Sequence, residues 1–309
     1  MPDVAQLMRQ GVTAADLEAR IEGSIDGDNP DDARMYLGIA QTFGYALDTA
    51  RFLPRIEALE TPWHVARRRF EQFTDGFIDG DGSTGAGVAG AIAADFTVVG
   101  DVRDLYEQYE LSEEGKAVNE LVVALAGIGV GLTAATVATS GSAAPLKTGS
   151  SALKLASRTG RVSPRLQKLL LRQANDVFDY KAFLLAVRGD KSIDNIRRAA
   201  LSAYQPRAMK ALGETTSRVN NIRNSTSLVD TVDMLRYVET ADDLRRLEKV
   251  SSRYGTQTKG ILKLLGKGAI GTVRVLRHGA ELVVALVATL LSVLATVLAT
   301  GGLFTRKAV

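Results

Sequence analysis

The sequence predicts an all-α protein: an integral membrane protein with two or three transmembrane helices and soluble helical regions. Three observations carry that reading. Two runs, residues 121–146 and 282–305, contain no charged residue. The segments between and before them show helical apolar spacing behind N-cap signals. The charge is split: residues 1–119 hold 10 Lys/Arg against 22 Asp/Glu, and residues 120–309 hold 28 against 13. A net charge of +3 over 309 residues hides that division, which points to two environments rather than one uniform surface.

Residues 1–80 read as an acidic, soluble helical region. Thr13-Ala-Ala-Asp16 is a capping-box pattern ahead of Leu17, Ile21 and Ile25. Asn29-Pro30 supplies an N-cap and a proline for a first helical turn, and Met35, Leu37, Ile39, Phe43 and Leu47 continue an apolar face. Two short helices joined by 27–30 make an αα-hairpin, without a second copy at a fixed period. Thr61-Pro62 opens an amphipathic helix over 63–77. Trp63, Val65, Phe70 and Phe73 stand against Arg67, Arg68 and Arg69, a pattern that suits a surface helix packing its aromatics on the core or a helix lying among lipid headgroups.

The Asp/Gly stretch 75–85 has the look of a calcium loop and fails as one. Starting at Asp79, Thr84 stands where the sharp turn needs glycine and Gly90 where a bidentate glutamate is needed. The segment from Asp26 fails in the same way, with Leu37 at the last position. Both are turns.

Residues 85–139 read as an apolar, Gly/Ala-rich helical hairpin whose arms are joined by an acidic linker, 101–120. The second arm carries the charge-free run. Its 121–139 part, at 1.5 Å per residue, nearly matches a hydrocarbon thickness of about 30 Å. Gly127 and Gly131 form a GxxxG, which allows close helix approach. The alternative for this run is a buried helix in a soluble all-α core. The first arm, 85–100, is interrupted by Asp95, the candidate intramembrane polar site. A lone aspartate at mid-bilayer costs about 2.5–3.5 kcal/mol on insertion scales, so it needs a partner helix or a wet cavity.

Asp95-Phe-Thr-Val-Val-Gly-Asp-Val-Arg-Asp-Leu105, followed by the apolar glycine-rich segment, resembles the hydrophobic pre-toxin stretches of bacterial polymorphic toxins and segments of uncharacterised proteobacterial membrane proteins. The similarity covers about residues 85–145. It implies a bacterial membrane protein. Pre-toxin stretches precede a toxin domain, whereas here another apolar run follows.

Residues 147–278 are basic and helical, with 26 Lys/Arg. Ser163-Pro164 starts a helix through Leu166, Leu169, Leu170 and Leu171. Ser192, Ser225 and Thr240 are N-cap candidates, and Thr240-Ala-Asp-Asp243 is a capping box before Leu244, Leu247 and Val250. Three partners fit such a surface: anionic lipid, nucleic acid, or an acidic protein surface such as residues 1–60 of another copy. Nucleic acid fits least, because no aromatic platform or binding motif accompanies the charge.

The run 282–305 gives the strongest membrane signal, a transmembrane helix over 280–304. Its small residues fall on one stripe, Ala285, Ala288, Ser292, Ala295, Ala299 and Gly302, which favours helix contact within the chain or in a homo-oligomer. Lys/Arg bias around both runs puts 147–278 on the cytoplasmic side of a multi-pass bacterial inner-membrane protein.

Chemistry-bearing residue types are scarce. There is no cysteine, and His64 and His278 are the only histidines. No P-loop, HExxH or GxSxG appears, and 266–271 lacks the P-loop ending. No catalytic residue, cofactor or metal is expected. The expected function is a non-enzymatic inner-membrane scaffold or oligomeric structural component. The alternative is a pore-forming or transport-like membrane protein, toxin-related, that uses the 85–139 hairpin.

Overall fold

The computed structural model describes residues 3–62, 64, 98–138, 141–190 and 192–271. Among these the chain is all-helical, with one isolated β-bridge between Phe178 and Tyr204.

The N-terminal helices follow from their caps. Asp3 opens α1 (Val4–Gly11) by accepting from the Ala5 and Gln6 amides. The expected capping box opens α2 (Ala14–Asp26): the Thr13 hydroxyl accepts from the Asp16 amide, and the Asp16 carboxylate accepts from the Thr13 amide. Asn29 caps α3 (Pro30–Phe43), with Pro30 in the first turn, and Gly44 ends it at φ 75°. There the left-handed backbone favours a residue without a Cβ. Asp48 caps α4 (Thr49–Leu59). Leu17, Ile21 and Ile25 of α2 are buried with Ala33, Tyr36, Leu37 and Ala40 of α3, which gives the expected αα-hairpin its core.

The stretch expected to be an acidic linker is instead mostly helix, α5 (Val98–Glu113). Val102, Leu105 and Tyr109 recur at helical spacing and are buried, and Asp101 and Asp104 are buried beside them. A short connection with Gly115 at φ 67° turns the chain into α6 (Glu120–Ala138). Asn119 caps it, accepting from the Val122 amide while its own amide donates to Gln108. The remaining helices are α7 (Ala144–Arg158), α8 (Pro164–Val177), α9 (Tyr180–Val187), α10 (Ile193–Ala203), α11 (Lys210–Ser225), α12 (Leu228–Met234), α13 (Ala241–Tyr254) and α14 (Thr258–Leu265). Ser163, Ser192 and Thr240 cap α8, α10 and α13 as expected. Ser225 does not act as a cap. It closes α11 with its hydroxyl on the Asn221 carbonyl, and Ser227 caps α12.

The axis of the fold is α6, with α5, α7, α8 and α10 packed around it. All twelve residues of 121–132 are buried, on every side of the helix. A helix that is apolar all round needs such an enclosure, because it has no polar face to turn to water. By length and composition α6 is also, among the described residues, the one helix that could cross a membrane.

Its glycines receive the neighbours. A Cβ on Gly127 would fall inside the Phe178 ring, and one on Gly131 inside the Tyr204 ring. Those rings belong to the bridged pair: the Asp179 amide donates to the Ala203 carbonyl at 3.0 Å and the Gln205 amide to the Val177 carbonyl at 2.7 Å. The GxxxG face is thus filled by two aromatic side chains rather than by another helix backbone. The close helix crossing lies elsewhere, where a Cβ on Gly149 of α7 would strike the backbone of Thr216 in α11.

The acidic N-terminal helices dock on the basic part of the same chain. α3 and α1 pack against α14. Asp32 accepts from Lys259 at 3.0 Å and from Lys263 at 2.7 Å, and Lys259 lies 3.1 Å from Asp230.

Candidate functional site

The densest polar cluster in the described structure lies against α6, between α5 and α7. Asp101 and Asp104 are three residues apart on α5 and share a face. Lys147, Lys154 and Arg158 are spaced by seven and four along α7, so they share a face too. The two faces meet. Lys154 Nζ lies 2.8 Å from Asp101 Oδ1 and 2.6 Å from Asp104 Oδ2. Lys147 pairs with Asp101 Oδ2 and donates to the Gly129 carbonyl of α6 at 3.2 Å. Arg158 donates to Asp104 Oδ1 at 2.7 Å. Lys154 is 1% exposed, as are both aspartates, so this is a charged layer inside the core.

Burial costs several kcal/mol per ion, and the pairing offsets only part of it: Asp104 Oδ2 lies against Lys154 without a hydrogen bond. Desolvation pushes the Asp101 carboxyl above its usual range, against the pull of Lys154 and Lys147. Gly129 makes the arrangement fit: a Cβ there would fall on the Asp101 carboxylate. An apolar helix with a uniform surface could slide or rotate among its neighbours. The layer fixes its register by tying α5 and α7 together at the level of one α6 carbonyl.

The cluster has the parts of a positioning device. Its amines are engaged with carboxylates, and it contains no histidine or cysteine. Two open surface hollows lie elsewhere on the described structure. One is lined by Asp176, Arg207, Lys210 and Glu214, the other by Glu120, Asn175, Asp179, Lys181 and Gln205; neither includes a histidine, serine or threonine. Among the described residues, no group of three or more His, Asp or Glu could hold a metal ion.

Of the residues singled out in the sequence, the structure brings Gly127 and Gly131 to the Phe178 and Tyr204 rings. Asp95 and the stripe Ala285, Ala288, Ser292, Ala295, Ala299 and Gly302 lie outside the described residues, as does most of 63–97. Sequence reasoning missed the charge layer. Its signal was the pair of lysines seven apart in a helix otherwise made of small and apolar residues. No protein-family model, curated protein or solved structure matches this chain.

Proposed function

We propose that this chain is a non-enzymatic, membrane-anchored helical scaffold of the bacterial inner membrane. In this reading the helical body folds in water around α6, and the charge-free run 282–305 supplies the anchor. Of the two or three spans that the sequence admits, the body keeps 121–138 as its own core. The observation that carries the reading is the enclosure of α6: twelve consecutive buried residues, with the paired charges of α5 and α7 facing it. Moving α6 into lipid would strip those charges of the carbonyl and the glycine surface they are built around. The basic body then sits beside an anionic leaflet, on the cytoplasmic side.

The test compares the full chain with a variant lacking 282–305 in carbonate-washed membranes. The full chain is expected in the pellet, and the truncated chain in the supernatant with its helicity intact. A truncated chain that stays in the pellet would sink the single-anchor reading and return α6 to the bilayer.

A second reading, a pore built from 85–139, draws on one observation. α5 and α6 run antiparallel, and where α5 begins and α6 ends each presents a bare apolar side chain, Val99 at 77% and Val137 at 79% exposure. Dye release from liposomes is its readout; leakage no greater than from protein-free liposomes excludes it.

A further inference from the structure

Three of the six large apolar side chains exposed among the described residues lie on one short hairpin, α9–α10: Leu185 and Ile193, each 69% exposed, and Leu201 at 37%. Each sits in a stripe with cations. On α9, Lys181 and Leu185 are spaced by four, opposite the buried Phe183 and Val187, and Arg188 follows at the C-cap with extended backbone. On α10, Ile193, Arg197 and Leu201 are spaced by four, opposite the buried Ile196, Ala199, Ala200 and Ala203. Both inner faces are satisfied, since α10 packs on α5 and α6 and α9 packs on α10. The outer faces are left with alternating apolar and cationic groups.

Those cations are not spent on carboxylates among the described residues. Lys181, Arg188 and Arg197 form no ion pair among the described residues, whereas Arg161, Arg165 and Arg218 on neighbouring elements do. Between residues 180 and 203 the sequence holds five Lys/Arg against Asp190 and Asp194. Those two carboxylates sit at the tip of the hairpin, where Asp190 accepts from the Ser192 amide.

We infer that the outer face of α9–α10 docks on an anionic bilayer surface. Leu185, Ile193 and Leu201 would enter the headgroup–acyl boundary, and Lys181, Arg188 and Arg197 would take the lipid phosphates. Apolar groups of this size gain only where they leave water, and a phosphate-bearing surface with an apolar layer beneath it satisfies both halves of the stripe. A nucleic-acid backbone would satisfy the cations alone. The inference builds on the anchored reading, which brings the body to a bilayer, but it can be read separately.

The chain has no cysteine, so a single Ile193→Cys or Leu201→Cys carries one environment-sensitive fluorophore on the full-length protein. It is placed in phosphatidylcholine bilayers with and without phosphatidylglycerol, some of them bearing a nitroxide-labelled lipid. The expected result is a blue shift and nitroxide quenching only where phosphatidylglycerol is present. The triple change K181E/R188E/R197E lowers the docked-to-free ratio about 100-fold, from roughly a fivefold step per cation. Raising the salt does the same to the chain whose cations are unchanged, which covers a triple variant that fails to fold. Equal fluorescence in all bilayers overturns the inference. So does a shift produced by soluble polyglutamate but not by lipid, which would assign the face to an acidic protein. Carbonate extraction reads the anchor independently: a chain that is released yet still quenches on anionic vesicles loses the anchor and keeps this face.

Discussion

The molecule joins aspartate to lysine in two places, and the places behave differently. Between α5 and α7, Asp101, Asp104, Lys147 and Lys154 have side chains between 1 and 9% exposed. Between α3 and α14, Asp32, Lys259, Lys263 and the nearby Asp230 range from 13 to 30%. The partners are of the same kind and the distances similar, yet the carboxyls shift in opposite directions. Burial raises Asp101 more than its lysines lower it. At Asp32 burial also pulls upward but is outweighed by the bond from Lys263 and the charge of Lys259, so the carboxyl is held below its usual range. Depth, rather than partner, decides the direction of the shift.

The comparison breaks most visibly if one amine is removed from each place. Lys154→Met takes the shared amine from two buried carboxylates, leaving Asp101 to Lys147 and Asp104 to Arg158, and is expected to cost about 3 kcal/mol in urea unfolding. Lys259→Met leaves Asp32 with Lys263 and access to water, and should cost about 1 kcal/mol. Equal losses would mean that the inner layer is wet.

Glycine substitutions sharpen the same contrast. Gly129→Ala drives a methyl into a carboxylate that two lysines hold in place, for an expected loss of about 2–3 kcal/mol. Gly260→Ala meets the ends of Ile39 and Met35, which can swing aside, and should lose less than about 1 kcal/mol. Thermal or chemical denaturation of the two variants side by side checks the order.

The subtlest difference is in pH. The stability that Asp32 contributes is present above its unfolded pKa of about 3.9 and is lost as the pH falls through its lower folded value. Asp101 has the opposite sign. Its raised folded pKa means that the folded state binds the proton more tightly, so its contribution rises as the pH falls through that value. Acid below about pH 4 should therefore raise hydrogen exchange in α3 and α14 before α5 and α7. Exchange that rises first in α5 and α7 would contradict the assignment.

What the sequence made legible was local. The capping boxes at Thr13 and Thr240, the Asn29-Pro30 start and the helix over nearly all of 121–139 depend on neighbours within a turn, and each is present. α5 was not legible as a helix. Its acidic residues resemble a solvated linker until Lys147 and Lys154, more than forty residues away, turn out to be their partners. Nor could the apolar run reveal its surroundings. A core helix and a membrane span share the same length and composition, and what surrounds α6, the rings of Phe178 and Tyr204 and the carboxylate of Asp101, comes from distant parts of the chain.

The bridged pair Phe178–Tyr204 also bears on the order of assembly. The two rings that fill the α6 glycine face stand at the two ends of the α9–α10 hairpin, so they arrive together only when that hairpin has closed. Until then part of the most apolar helix of the body is uncovered, and the closure of one small loop sets how long the nascent chain remains prone to aggregation.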